Sequence, residues 1–173
     1  PAQFASLSAY KADIVINLTI AALAILGGLG FLVIADIFQN KRFSLQSKIV
    51  IWTSALLIIF GTILIFGMEF QNNATIGSLS SGNKLLVSFF HSVSSRTAGF
   101  HTLAIGGMLR PTALIIIFLM FIGASTGGCG GGIKTTTFAI IFATIFSTLK
   151  NKKDTIMFER KIPAEIVRRA FAI

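Results

Sequence analysis

Uncharged stretches dominate this chain, and where they start, stop and break predicts most of its elements. Ile14 to Ala35 carries no charge. About 20 consecutive apolar residues suffice for a membrane-spanning helix, so Asp13 to Phe38 predicts a first span. Its centre reads GGLG, Gly27 to Gly30, and small residues of this kind let helices pack closely within a membrane. Asp36 falls near the end of the run, within reach of the headgroups. Gln39 to Lys48 is polar and basic. Ile49 to Met68, again uncharged, predicts a second span, and Glu69 to Asn83 is polar and rich in glycine and serine.

The pattern then changes. Lys84 to Ser95, KLLVSFFHSVSS, is apolar but too short to cross a bilayer; runs of that size are more often buried or re-entrant. It leads directly into RTAGF, Arg96 to Phe100. A polar stretch reaches Arg110, and Pro111 suits the first turn of a helix. Pro111 to Leu149 is apolar at both ends and interrupted by GASTGGCGGGIKTTT, Gly123 to Thr137, after which the chain is basic. The expected order is span, loop, span, loop, half-crossing helix, returning loop, long broken span, loop.

Composition excludes an ordinary soluble domain. Hydrophobic residues make up 54% of the 173 and charged residues 12%, against about 25% charged in soluble domains, and the mean hydropathy is +0.83. The formal net charge of +9 could suit nucleic acid, but its placement argues otherwise. Of 15 Lys and Arg, three lie in Lys41 to Lys48 and seven in Lys150 to Arg169, both beside apolar runs. That is the positive-inside pattern of cytoplasmic loops. A re-entrant segment at Lys84 to Phe100 puts both basic loops on one side; a full crossing there would separate them. Cys129 is the single cysteine and allows no intrachain disulfide. The chain starts at Pro1 and stops at Ile173 within a new apolar segment, so an internal piece of a longer protein is expected.

Two motifs carry candidate chemistry. A short helix that stops inside the membrane turns the negative end of its dipole toward a cation. Irregular backbone at that depth is tolerated only in protein or along a wet cavity, and carbonyls lining such a path can replace the hydration shell of K+. Thr97, Ala98, Gly99 and Phe100 then resemble one strand of a cation filter, with Gly99 able to take an unusual φ. The second motif looks first like a phosphate loop, but Ile133 separates Gly132 from Lys134 and also occupies the last glycine position of the dinucleotide pattern. The alternative is a discontinuous membrane helix: each glycine costs about 1 kcal/mol against alanine in a helix interior, and ion-pathway proteins use such breaks at their sites. Lys134, an ionisable group inside a span, supports that reading, and Thr135 to Thr137 could return hydrogen bonds to freed carbonyls. His91 and His101 have no ligand partner at metal-binding spacing. No acid–base or nucleophile constellation is visible, so no enzyme is expected.

These residues resemble a known family. LLVSFFHSVSSRTAGFHT, Leu85 to Thr102, is similar to the third pore loop of the Trk/Ktr/HKT superfamily of potassium transporters. FIGASTGGCGGGIKTTTF, Phe121 to Phe138, resembles its intramembrane loop, and FERKIPAEIVRRA, Phe158 to Ala170, its link into the fourth repeat. ILGGLGF, Ile25 to Phe31, looks like the closing helix of its second repeat. The resemblance implies an all-α membrane protein of helix–pore-loop–helix repeats with a discontinuous helix. Residues 1–48 would close the second repeat, 49–149 form the third, and 150–173 link to the fourth. It further implies K+ uptake across the plasma membrane, with Na+ as a candidate coupling ion. Thr97 to Phe100 would be one quarter of the filter, K+ being held by the backbone of Thr97, Ala98 and Gly99. Gly127, Gly128, Cys129, Gly130, Gly131, Gly132 and Lys134 would form the gate loop. A homodimer in the lipid bilayer, with a separate cytosolic nucleotide-binding regulatory subunit and no nucleic acid, completes the expectation. This chain departs from the family at His91, His101, Thr126, Gly128 and Cys129; the extra glycine at Gly128 is expected to loosen the loop. The reading from another class is a non-transporting anchor that docks a cytosolic partner through Lys150 to Arg169.

Overall fold

The computed structural model describes residues 7–39, 43–151, 154–158 and 160–172. Lys41, Arg42, Lys152 and Lys153, counted above in the basic loops, lie outside them. After a short 3-10 turn at Ser8–Tyr10 come α1 (Ile14–Leu29), α2 (Phe31–Gln39), α3 (Leu45–Glu69) and α4 (Ser81–Ser94). A second 3-10 turn, Ile105–Gly107, precedes α5 (Arg110–Phe121) and α6 (Thr135–Leu149). The chain ends in a hairpin of β1 (Ile156–Met157) and β2 (Arg160–Lys161), then α7 (Ala164–Phe171).

Local chemistry sets these boundaries. Asp13 opens α1 by accepting a hydrogen bond from the Ile16 N–H at 3.0 Å, and Ser44 opens α3 by accepting from Ser47 at 3.2 Å, each pairing one of the free N–H groups at a helix start. Asp36 reinforces the second cap, accepting from the Ser44 N–H at 2.8 Å and the Ser47 hydroxyl at 2.6 Å. It binds a helix start instead of reaching outward as expected. Pro111 sits in the first turn of α5, where its missing N–H costs nothing. Glu69, fully buried at the end of α3, accepts from the Leu109 N–H at 2.9 Å and so ties α3 to the start of α5.

α3 is the hub, packing against α4, α5 and α6. α1 lies along α4 through a core of Ala21, Phe90 and Val93. At the other end Ile140 of α6 packs on Ile162 and Ala170, which seats the hairpin and α7. Many large apolar side chains face outward, Trp52, Leu114 and Phe142 among them, as suits contact with lipid or further apolar protein.

Two expectations change. The first apolar run is not a straight span: α1 and α2 meet at 94°, because Gly30 takes a φ of 81° and ends the helix. Among the described residues α3 alone is long and apolar enough to cross a membrane, or two spans if the bent pair counts as one. The second concerns the all-α expectation. Ile156 pairs with Lys161 and Met157 with Arg160 in an antiparallel hairpin, so the chain is mostly helical, not wholly so.

Candidate functional site

α4 delivers the chain to the first candidate segment. Val87, Ser88 and Phe90 to Ser94 are buried along it, and the helix stops at Ser94. The Ser94 carbonyl makes the stop by accepting from the N–H groups of Thr97, Ala98 and Gly99 at 3.3, 3.1 and 2.9 Å. Such a turn needs a positive φ, and Gly99 supplies 69°. Beyond it, the Ser94 hydroxyl donates to the Phe100 carbonyl at 2.6 Å, and the Thr102 N–H donates to His91 Nε2 at 3.4 Å. Ser94 and His91, both on α4, therefore hold the outgoing limb of the turn.

Between these anchors Ala98, Gly99 and Phe100 are exposed, whereas Ser94, Arg96 and Thr102 are buried. Among the described residues no donor is bonded to the carbonyls of Thr97, Ala98 or Gly99. Unpaired carbonyl oxygens beside a helix C-terminus make a locally negative surface.

The second candidate segment lies between α5 and α6. The Gly123 N–H donates to the Ile133 carbonyl at 3.0 Å, and the Ile133 N–H to the Phe121 carbonyl at 2.9 Å. These bonds form a short parallel bridge that closes the base of the loop. Lys134 Nζ reaches back to the Gly130 carbonyl at 2.9 Å, so its charge is spent on the loop itself. Of the threonines, Thr135 returns a hydrogen bond to a loop carbonyl as expected, its N–H donating to Ala124 at 3.3 Å. Thr136 shares a hydrogen bond with the Thr126 hydroxyl at 3.3 Å, and Thr135 Oγ1 is buried without a partner among the described residues.

The loop docks on the bend between α1 and α2. Ser125 and Cys129 donate their N–H groups to the carbonyls of Gly28 and Gly27, both at 3.0 Å. The Ser125 hydroxyl donates to the Leu29 carbonyl, and the Phe31 N–H to the Gly127 carbonyl at 3.4 Å. A helix end leaves its last carbonyls and first N–H groups unpaired; here the loop pairs those of α1 and α2 together. GGLG thus packs against a loop, not against a neighbouring helix. At Gly128 a Cβ would stand 2.8 Å from the Gly28 carbonyl oxygen. The glycine expected to loosen the loop is the residue that lets it lie closest to α1.

Arg96 joins the two segments. It is 8% exposed. Its guanidinium donates from Nε to the Ile122 carbonyl at 3.4 Å, from Nη2 to Gly123 at 3.2 Å and from Nη1 to Ser54 at 3.5 Å. Its own carbonyl oxygen faces Gly130, 3.3 Å from where a Cβ would sit. RTAGF as a sequence does not reveal this role of Arg96, although a charged residue in an apolar setting is itself a functional signal. This side chain ties the turn after α4 to α3 and to the start of the α5–α6 loop, not to the candidate gate residues themselves. Cys129 is exposed and contributes its backbone N–H.

A family model described as "TrkH: Cation transport protein" matches residues 3–173. The chain is 38% identical to the "Ktr system potassium uptake protein B" of Vibrio alginolyticus and 37% identical to that of Bacillus subtilis, over 97% of this chain and 38% of each relative. It is 34% identical to the "Potassium/sodium uptake protein NtpJ" of Enterococcus hirae, with the same coverage. The chain therefore spans well under half the length of these relatives. The fold matches the crystal structure of the potassium transporter TrkH from Vibrio parahaemolyticus with a TM-score of 0.75 and 19% identity, over 97% of this chain and 37% of that one.

Proposed function

Because the chain belongs to the family of TrkH cation transport proteins, we propose that it supplies part of a membrane pathway for K+ uptake. In this reading residues 1–48 close one repeat, 49–149 form the next with its re-entrant pore loop, and 150–173 lead into another. Thr97 to Phe100 line one side of a selectivity filter, and Gly127 to Gly132 with Lys134 form the gate. The carrying observation is that the carbonyls of Thr97, Ala98 and Gly99 have no hydrogen-bond donor among the described residues, in a turn exposed at Ala98 to Phe100 at the end of a half-length helix. Such oxygens can take the place of water around K+, and the helix terminus behind them favours a cation.

The loop suits a gate because it is irregular backbone held by a handful of hydrogen bonds at its base and at the bend of α1. Releasing the contacts at the bend frees it without unfolding α5 or α6. Na+ as a second ion fits the naming of one relative as a potassium/sodium uptake protein. A homodimer in the plasma membrane with a separate nucleotide-binding regulatory subunit on the cytosolic side completes the proposal.

The test is ion flux in liposomes carrying the full-length transporter that contains this segment. K+ uptake is expected, and shortening Gly127 to Gly132 is expected to raise basal flux. Absence of K+ flux, with a cytosolic partner still co-purifying, would favour a non-transporting anchor instead. Unchanged flux after shortening would remove the gate.

A further inference from the structure

The filter turn has a neighbour on its far side. A Cβ on Gly28 would stand 3.0 Å from the Thr97 Cγ2 methyl, tighter than ordinary van der Waals contact between carbons at about 3.5–4.0 Å. Among the described residues Thr97 Oγ1 is buried with no hydrogen-bond partner, so packing sets where this side chain lies. The Thr97 methyl fits because position 28 has no side chain. Gly28 also meets the gate loop, accepting from the Ser125 N–H at 3.0 Å. It therefore stands between the two segments, facing Thr97 on the side where a Cβ would stand and bonding the loop through its carbonyl. A cavity of about 20 Å³ lined by Gly28, Ser54, Arg96 and Thr97 lies beside the contact. A displaced Thr97 has space to move there instead of clashing outright.

We propose that Gly28 is a positioning residue for ion selection: it sets the place of Thr97, and through Thr97 the place of the filter carbonyls. The inference rests on the filter reading of Thr97 to Phe100. It separates two effects of one substitution. Gly28→Ala raises helix propensity within α1, so the protein is expected to assemble. The same methyl group presses on Thr97, so selectivity is expected to fall.

The experiment measures the K+/Na+ flux ratio of the full-length transporter in liposomes, with protein yield and thermal unfolding recorded in parallel. Gly28→Ala should lower the ratio about three- to tenfold, within the range of couplings between touching residues. Thr97→Ser removes the Cγ2 methyl and keeps the hydroxyl, so adding it to Gly28→Ala should restore most of the ratio. Gly67→Ala, in α3 with nothing within 4 Å of its Cβ position, controls for helix propensity and should leave the ratio unchanged. If Gly28→Ala alone does not accumulate, the double variant decides: recovered protein and ratio support the proposal, and failure to recover overturns it. A Gly28→Ala ratio equal to that of Gly67→Ala overturns it too, as do independent effects at the two sites without rescue. Gly99→Ser separates the two readings. If it leaves the ratio intact, the filter assignment itself fails; if it shifts the ratio while Gly28→Ala is silent, only the role of Gly28 is lost.

Discussion

Gly99 and Gly123 belong to neighbouring segments and are glycines for opposite reasons. Gly99 turns the chain with a φ of 69°, and nothing lies within 4 Å of where its Cβ would be. Gly123 does not take a positive φ, yet a Cβ there would stand 1.5 Å from the Gly131 carbonyl oxygen. One glycine answers a backbone conformation in open space, the other a backbone that passes too close for any side chain. The same division holds around them. The turn at Gly99 is exposed at Ala98 to Phe100, and its outgoing limb is held by Ser94 and His91 of α4. The loop is closed on itself and clasped between α5, α6 and the bend of α1. In the proposed reading, a turn of the first kind offers its carbonyls to an ion, and a loop of the second kind has a docked position to leave.

Substitutions can break this contrast in graded steps. Gly123→Ala should have the largest effect on stability. The added methyl meets backbone that cannot step aside, so the cost should exceed the ~1–3 kcal/mol usual for overpacking, seen as a marked fall in thermal unfolding temperature and yield. Arg96→Met comes next. It removes the donors that tie the filter side to the Ile122 and Gly123 carbonyls and leaves buried acceptors unpaired, a loss on the order of 3 kcal/mol. Arg96→Lys should recover part of it, since an ammonium lacks the planar fork that reaches separate carbonyls at once. Gly131→Ala should do least. Its φ is not positive and nothing lies within 4 Å of its Cβ position, so its effect should stay within about 0.5 kcal/mol. A large loss at Gly131, or tolerance at Gly123, would erase the distinction between conformational and steric glycines.

Much of the fold was legible in the hydropathy pattern. The uncharged run Ile49 to Met68 marks α3, extended by its Ser44 cap, and the shortness of Lys84 to Ser95 marks α4 as a half-length helix. The glycines after Phe121 mark the break between α5 and α6. The bend at Gly30 was not legible, because hydropathy does not register φ and Ile14 to Ala35 reads as one unbroken run. Nor was the hairpin at 156–161, whose two-residue strands are too short to show a period. The role of Arg96 was hidden for another reason: its partners are backbone carbonyls of Ser54, Ile122 and Gly123, and a carbonyl is present at every residue. The docking of Gly27 to Gly30 on Ser125 to Cys129 was equally hidden, since each glycine cluster announces close approach without saying to what.

The central claim is that the turn at Gly99 selects and the loop at Gly128 gates. It is tested most directly by measuring total K+ flux and the K+/Na+ flux ratio side by side for two variants of the full-length transporter. Gly99→Ser forces a side-chain-bearing residue into the left-handed region, at about 1–2 kcal/mol, and should lower the ratio. Gly128→Ala drives a methyl against the Gly28 carbonyl, 2.8 Å away, and should raise basal flux at an unchanged ratio. If both variants change the ratio alike, or Gly99→Ser leaves it untouched, selection and gating are not divided between these two segments.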